Sequence, residues 1–150
     1  MMEHPLRLFT IGFTKTTAEK FFERLLSSEV RRVIDVRLNN SSQLAGFAKG
    51  RDIGYFLSKI GNIEYLHEPL LAPTPDILDA YKKHKGPWPV YERQFLDLMD
   101  VRKIDEKLSR DLFDRSCLLC SEDKPHHCHR RLVAEYLNDR WDTNIQIKHL

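Results

Sequence analysis

The stretch LLCSEDKPHHCHRRLVAEYL, residues 118–137, opens as an apolar run, turns polar at Ser121 and closes with apolar residues at helical spacing. It reads as a strand, a loop and a helix: a short apolar run suits a buried strand, and Leu132, Val133, Tyr136 and Leu137 recur at intervals that keep one helical face apolar. Two cysteines, three histidines and two adjacent arginines crowd into the loop and the first turn of that helix. A structural turn has no need of so much chemistry.

The rest of the chain repeats the unit. Leu6 to Ile11 is an apolar run ending at Gly12, and Thr16 with Glu19 has the spacing of a capping box before a helix that carries Phe21, Phe22, Leu25 and Leu26 on one face. Val33, Ile34 and Val36 make a second strand with Asp35 and Arg37 at its end, and the polar stretch from Asn39 to Gly50 follows as a loop. A helix is expected from about Asp52 to Gly61, a third strand at Ile63 to Leu66, and a loop where Pro69, Pro73 and Pro75 fall. Residues 76–108 look helical with a break at Gly86 to Pro89; Tyr91, Phe95, Leu98 and Met99 supply an apolar stripe after it. Cys117 to Cys120 is the fourth strand, His129 to Asp139 a helix and Ile145 to Lys148 a last strand. This order predicts an α/β fold, a single three-layer domain over residues 1–150 with a mostly parallel sheet of the doubly wound, Rossmann-like kind.

Composition sets further bounds. At 150 residues, with 41% hydrophobic and 31% charged residues, the chain is long enough for one continuous core and has the make-up of a globular protein. No apolar run reaches the length needed to cross a membrane, and the start lacks a signal-peptide pattern, so a cytoplasmic location is expected. Three cysteines, all between Cys117 and Cys128, suit a local thiol or metal site better than a secreted disulfide framework. A net charge of only +2 does not favour nucleic acid as the partner, though it leaves room for a small anion.

Open α/β sheets bind ligands beyond the carboxyl ends of their strands. The chemistry-bearing residues fall there: Gly12 and Thr14 after the first strand, Asp35 and Arg37 after the second, Cys120 and Glu122 after the fourth, with Cys128, His129 and Arg130 opening the next helix.

Taken together, TIGFT (10–14), IDVR (34–37), IEYLHEP (63–69), LLCSE (118–122), CHRRLVAEYL (128–137) and the terminal IKHL (147–150) resemble domain of unknown function family 488 along the whole chain. The resemblance implies an α/β domain with a site around Asp35, Arg37, Cys120, Glu122, Cys128 and Arg130. Phe13 and Thr14 stand where a His-Ser pair is usual, and residues 39–47 lack an expected Pro and Ser-Arg pair, so a histidine base in the first loop is unavailable here.

A thiol at a strand end or helix N-terminus lies in a positive field that favours the thiolate, and Cys128 fits that best. Helical spacing turns Arg131 to solvent and leaves Arg130 on the flank of the apolar face, where with Arg37 it could hold a phosphate or carboxylate. Asp35 and Glu122 are candidates to move protons. The plainer readings are a buried Cys117, an Asp35–Arg37 ion pair, solvent-facing His126 and His127, hydrogen-bonded core positions for His67 and His149, a solvated helix end at 82–85, and Trp88 and Tyr91 in the core.

Zinc is the sharpest rival, through Cys117, Cys120, Cys128 and His129. Strand parity, however, puts Cys117 and Cys120 on opposite faces. A reversible Cys120–Cys128 disulfide is easier. The leading expectation is an enzyme or sensor for a small phosphorylated or nucleotide-like anion, with cysteine-dependent chemistry and no cofactor. The alternatives are a non-catalytic nucleotide or nucleic-acid binding module and a zinc-stabilised interaction domain.

Overall fold

The computed structural model of the protein describes residues 5–40, 46–122, 125–141 and 144–150. Five strands, β1 (Arg7–Gly12), β2 (Arg32–Asp35), β3 (Glu64–His67), β4 (Ser116–Cys120) and β5 (Gln146–His149), form one sheet in the order β3-β2-β4-β1-β5. Every pairing is parallel, so the expected α/β architecture holds and the sheet is wholly parallel rather than mostly so. Helices α1 (Ala18–Ser27) and α2 (Gly50–Gly61) lie on one face. On the other face lie α3 (Pro75–Lys82), α4 (Trp88–Arg102), α5 (Ile104–Lys107), α6 (Arg110–Phe113) and α7 (His129–Arg140). The result is a doubly wound α/β domain with a hydrophobic core on each side of the sheet.

The two cores follow from strand parity. Along β4, Leu118 and Cys120 enter the core beneath α4 and α7, whereas Cys117 and Leu119 enter the core beneath α1 and α2. β4 is buried along its whole length, as a central parallel strand must be.

Chain direction around β4 positions the site. Its neighbours β1 and β2 lead into α1 and α2 on one face, while β4 itself leads into α7 on the other. The chain therefore diverges on both sides of the β4 carboxyl end, and such divergence opens a crevice there. Register brings the same ends level: Gly12 stands beside Cys120 and Asp35 beside Leu119.

Several boundaries differ from the sequence reading. Thr17, not Thr16, caps α1, accepting from the Lys20 N–H at 3.1 Å. Leu26 is 42% exposed, so the buried face of α1 is Phe21, Phe22 and Leu25. α2 starts at Gly50, ahead of the expected Asp52, and ends at Gly61 as expected, with the left-handed Asn62 as its C-cap. The long helical region divides again at Lys103, also left-handed, between α4 and α5. The loop expected over 39–50 contains a 3-10 turn at Gly46–Ala48, and residues 41–45 lie outside the described residues. No helix among the described residues is long and apolar enough to cross a membrane.

At Gly12 the backbone has no room for a side chain. An added Cβ would overlap the Glu122 carbonyl and come within 3.0 Å of Arg130 Nη1. Gly12→Ala must push the β4–α7 loop outward, an overpacking cost of about 3 kcal/mol. A thermal melt of this variant is expected to fall roughly 6–12 °C below wild type.

Candidate functional site

A cavity of about 380 Å³ opens where the chain diverges around β4. Phe13 and Thr14 reach it from β1, Arg37 to Asn39 from β2, and Cys120 to Glu122 from β4. The head of α7 adds Cys128 and His129, and α3 and α4 add Leu78, Tyr81, Lys82 and Tyr91. Its wall is largely aromatic and aliphatic, with the thiols, His129, Arg37 and Glu122 on the sheet side and Lys82 on the α3 side.

Cys120 ends β4, Cys128 is the N-cap of α7, and His129 is the first residue of that helix. All three are buried. Their Sγ and ring-nitrogen donors lie within 4.8 Å of one another, and Cys120 Sγ is 3.7 Å from His129 Nδ1. The other ring nitrogen, Nε2, is 2.6 Å from the Val36 carbonyl oxygen. A carbonyl can only accept, so Nε2 carries a proton and Nδ1 is the atom that exchanges one with Cys120.

The thiol cluster is polarised. A hydrogen bond from the Cys128 thiol holds Cys120 well below the usual thiol range, the His129 and Arg130 charges act the same way, and burial opposes them. Cys128 is pushed well above that range, by burial first and then by the hydrogen bond it donates to Cys120. Burial would lower the His129 imidazole, but the charge on Cys120 outweighs it and raises the proton affinity of the ring. Both directions favour negative charge on Cys120 and positive charge on His129, at the N-terminus of α7. The sequence reading favours Cys128 as the activated thiol; the hydrogen bond from Cys128 and the neighbouring His129 act in that direction on Cys120.

Asp35 and Arg37 form the ion pair that was the plainer reading. Arg37 Nε donates to Asp35 Oδ1 at 2.8 Å and Nη2 to Oδ2 at 2.6 Å, with the Arg37 N–H and the Tyr65 hydroxyl completing the carboxylate shell at 3.1 and 2.6 Å. Asp35 is fully buried and does not line the cavity. Its place is behind Arg37, which it orients. Arg37 in turn lies over the Phe13 ring, 5.1 Å from its centroid, and its Nη1 is a buried donor with no hydrogen-bond partner among the described residues.

Arg130 is not on the flank of α7 but fully buried. Its Nε donates to Thr10 Oγ1 at 3.2 Å and its Nη1 to the Glu122 carbonyl. It does not line the cavity; nor does Gly12, which packs against the same carbonyl. Thr14 lines the wall but binds the Ser121 carbonyl through both its N–H and its hydroxyl. Glu122 turns its carboxylate to Lys82 Nζ at 2.6 Å. Arg131, expected in solvent, is only partly exposed and pairs with Glu92 and Glu135.

The same three donors, Cys120, Cys128 and His129, are the group among the described residues able to hold a soft metal such as zinc. Cys117 cannot complete a four-ligand set, because it lies in the opposite core, where burial raises its thiol pKa.

Lys82, Tyr81 and Tyr91 were missed as site residues. The 82–85 run was read as a solvated helix end, yet Lys82 reaches back to the β4 loop, a contact forty residues long in sequence. Helical spacing of Leu78 with Tyr81 was the available signal. His127 is exposed as expected but stacks on Trp88, with centroids 4.9 Å apart. His149 is exposed rather than core, and binds Thr10 Oγ1 at 2.6 Å.

A doubly wound α/β domain with a polarised cysteine–histidine pair at its central strand end is the class that fold and site define. The chain belongs to the family described as domain of unknown function DUF488, whose model matches residues 17–137. Neither a curated protein nor a solved structure matches the chain significantly.

Two measurements follow from the electrostatics. An ordinary thiol loses about 50-fold in alkylation rate between pH 8.5 and 6.5 as its thiolate is protonated. Cys120, held as a thiolate, should keep most of its rate over that range with iodoacetamide, and His129→Ala should restore the ordinary decline. Tyr65, raised to about 12 by burial and by its bond to Asp35, stays neutral in the folded state when an unfolded tyrosine ionises near 10. Its share of stability is thus complete below pH 10 and lost as pH rises towards 12. Tyr65→Phe should cost about 2 kcal/mol at pH 7 and make the alkaline decline shallower in urea titrations.

Proposed function

We propose that the protein is a thiol-dependent enzyme of the cytoplasm that takes a small anionic, nucleotide-like ligand into the cavity, with Cys120 as nucleophile. One observation carries this reading: the Cys120–His129 pair, supported by the Cys128 thiol, lines a cavity large enough for a small substrate. The thiolate would attack an electrophilic centre of the ligand. The His129 Nδ1 proton would pass to the group that leaves, while the Val36 carbonyl keeps the ring in place. The unpartnered Arg37 Nη1 supports recognition of an oxygen-bearing anion, and the aromatic wall suits a planar body beside it. Lys82 adds a cation at the same wall.

In this reading some roles move within the expected site. Asp35 and Arg130 act through others: Asp35 orients Arg37, and Arg130 braces the loop and lends its charge to the thiols. Glu122, paired with Lys82, is a rim residue.

The test is protection of Cys120 from iodoacetamide in reduced, metal-analysed protein, with inorganic phosphate, nucleoside monophosphates and sugar phosphates as probes. At least one probe should slow labelling more than about tenfold and raise the melting temperature, since a ligand that binds only the folded state stabilises it. Stoichiometric zinc that blocks labelling, with no response to any anion, would replace this reading with the zinc-stabilised domain. Steeply salt-dependent oligonucleotide binding with an unreactive Cys120 would replace it with the non-catalytic binding module.

A further inference from the structure

Cys128 has no place in the single-thiol chemistry beyond its hydrogen bond to Cys120, yet it is a second thiol held against a thiolate in a buried, cavity-lined position. We infer that Cys120 and Cys128 are a peroxidatic and resolving pair, by which the protein reduces a small hydroperoxide and closes an internal disulfide. The inference rests on the reading of Cys120 as the reactive thiolate and adds a second, two-electron activity to it.

Four observations carry it. The Sγ atoms lie within 4.8 Å of each other and both line the cavity, so an oxidant small enough to enter reaches them without unfolding. Both cysteines are free, and both sit where a short movement is possible: Cys120 at the last residue of β4, Cys128 at the N-cap ahead of α7. A disulfide needs Sγ atoms about 2.05 Å apart, a closure that side-chain rotation at a strand end and a helix cap can supply. The roles are asymmetric, because Cys120 Sγ lies 3.7 Å from His129 Nδ1, the nitrogen able to take its proton, which makes Cys120 the attacking sulfur and Cys128 the resolving one. Finally, Cys117, in the opposite core, is an internal control that cannot join.

The chemistry balances. The Cys120 thiolate attacks the terminal oxygen of the hydroperoxide and the O–O bond breaks. The alkoxide, or hydroxide from hydrogen peroxide, leaves with the electron pair and takes the His129 Nδ1 proton, giving Cys120 sulfenic acid. Cys128 sulfur then attacks the Cys120 sulfur, the S–O bond breaks, and the departing hydroxide combines with the Cys128 proton as water. Two electrons pass from the two thiols to the peroxide, and an external dithiol returns them.

The test treats reduced protein with equimolar hydrogen peroxide, then maps peptides and counts free thiols after denaturation. Wild type should lose two hydrogens from a linked Cys120–Cys128 peptide pair and keep Cys117 as its sole free thiol, with all three thiols restored by dithiothreitol. Cys128→Ser should stop at the sulfenic acid, read as a dimedone adduct on Cys120, and Cys120→Ser should form neither product at the same exposure. Wild-type Cys120 that alkylates readily but oxidises to sulfinic acid without linking to Cys128 overturns this inference and leaves the nucleophile reading intact. Cys120 inert to both iodoacetamide and peroxide overturns both. The wild-type peptide map decides even if a variant fails to fold.

Discussion

The buried guanidinium of Arg130 is the contact on which the carboxyl edge of the sheet depends. From the first turn of α7 it reaches the Thr10 hydroxyl in β1 and the Glu122 carbonyl in the loop after β4, so one side chain joins two strands and a helix. Taking a cation out of water costs several kcal/mol unless hydrogen bonds and nearby negative charge offset it. Here the Thr10 hydroxyl and the Glu122 carbonyl accept from it, and its charge acts to lower the Cys120 pKa. The group that braces the edge therefore also favours the anionic form of the nearby thiol. Gly12 is its steric condition, because only a residue without a side chain lets the Glu122 carbonyl come close to β1.

Asp35 and Arg37 do comparable work on the β2 side. The forked pair, closed by Tyr65, uses up the carboxylate and two of the three guanidinium nitrogens, and leaves Nη1 as the unmet donor. A buried carboxylate so enclosed is a fixed support for Arg37. Phe13 adds an aromatic face to the guanidinium, 5.1 Å from its ring centroid.

Much of this was readable in the chain, and the parts that were not have a common cause. Apolar period located every strand and most helices, because burial on one face leaves its mark locally. Parity along β4 separated Cys117 from Cys120, since alternation in a strand holds whatever packs on it. Arg130 was misplaced because a helical wheel assumes one buried face. α7 packs against α4, β4 and β1 together, and its buried set runs from His129 and Arg130 through Leu132 to Ala134 and on to Leu137. Lys82 was missed for a related reason: its partner, Glu122, lies far away in sequence, and no local spacing records such a pairing. Which of the two cysteines stands against the histidine was beyond the sequence as well, since it turns on a 3.7 Å approach between Cys120 and His129.

The Lys82–Glu122 bridge divides the cavity mechanically. The sheet side is anchored by buried groups, whereas the α3 wall is tied to the β4 loop by a half-exposed ion pair. Such a pair is worth about 0.2–1 kcal/mol, and salt weakens it further. α3 itself is fixed to α4, where Tyr81 packs on Trp88 and Tyr91 with ring centroids 5.5 and 4.9 Å apart. Ionic strength therefore acts on the seam between α3 and the β4 loop alone, and leaves the packing that shapes the rest of the cavity untouched.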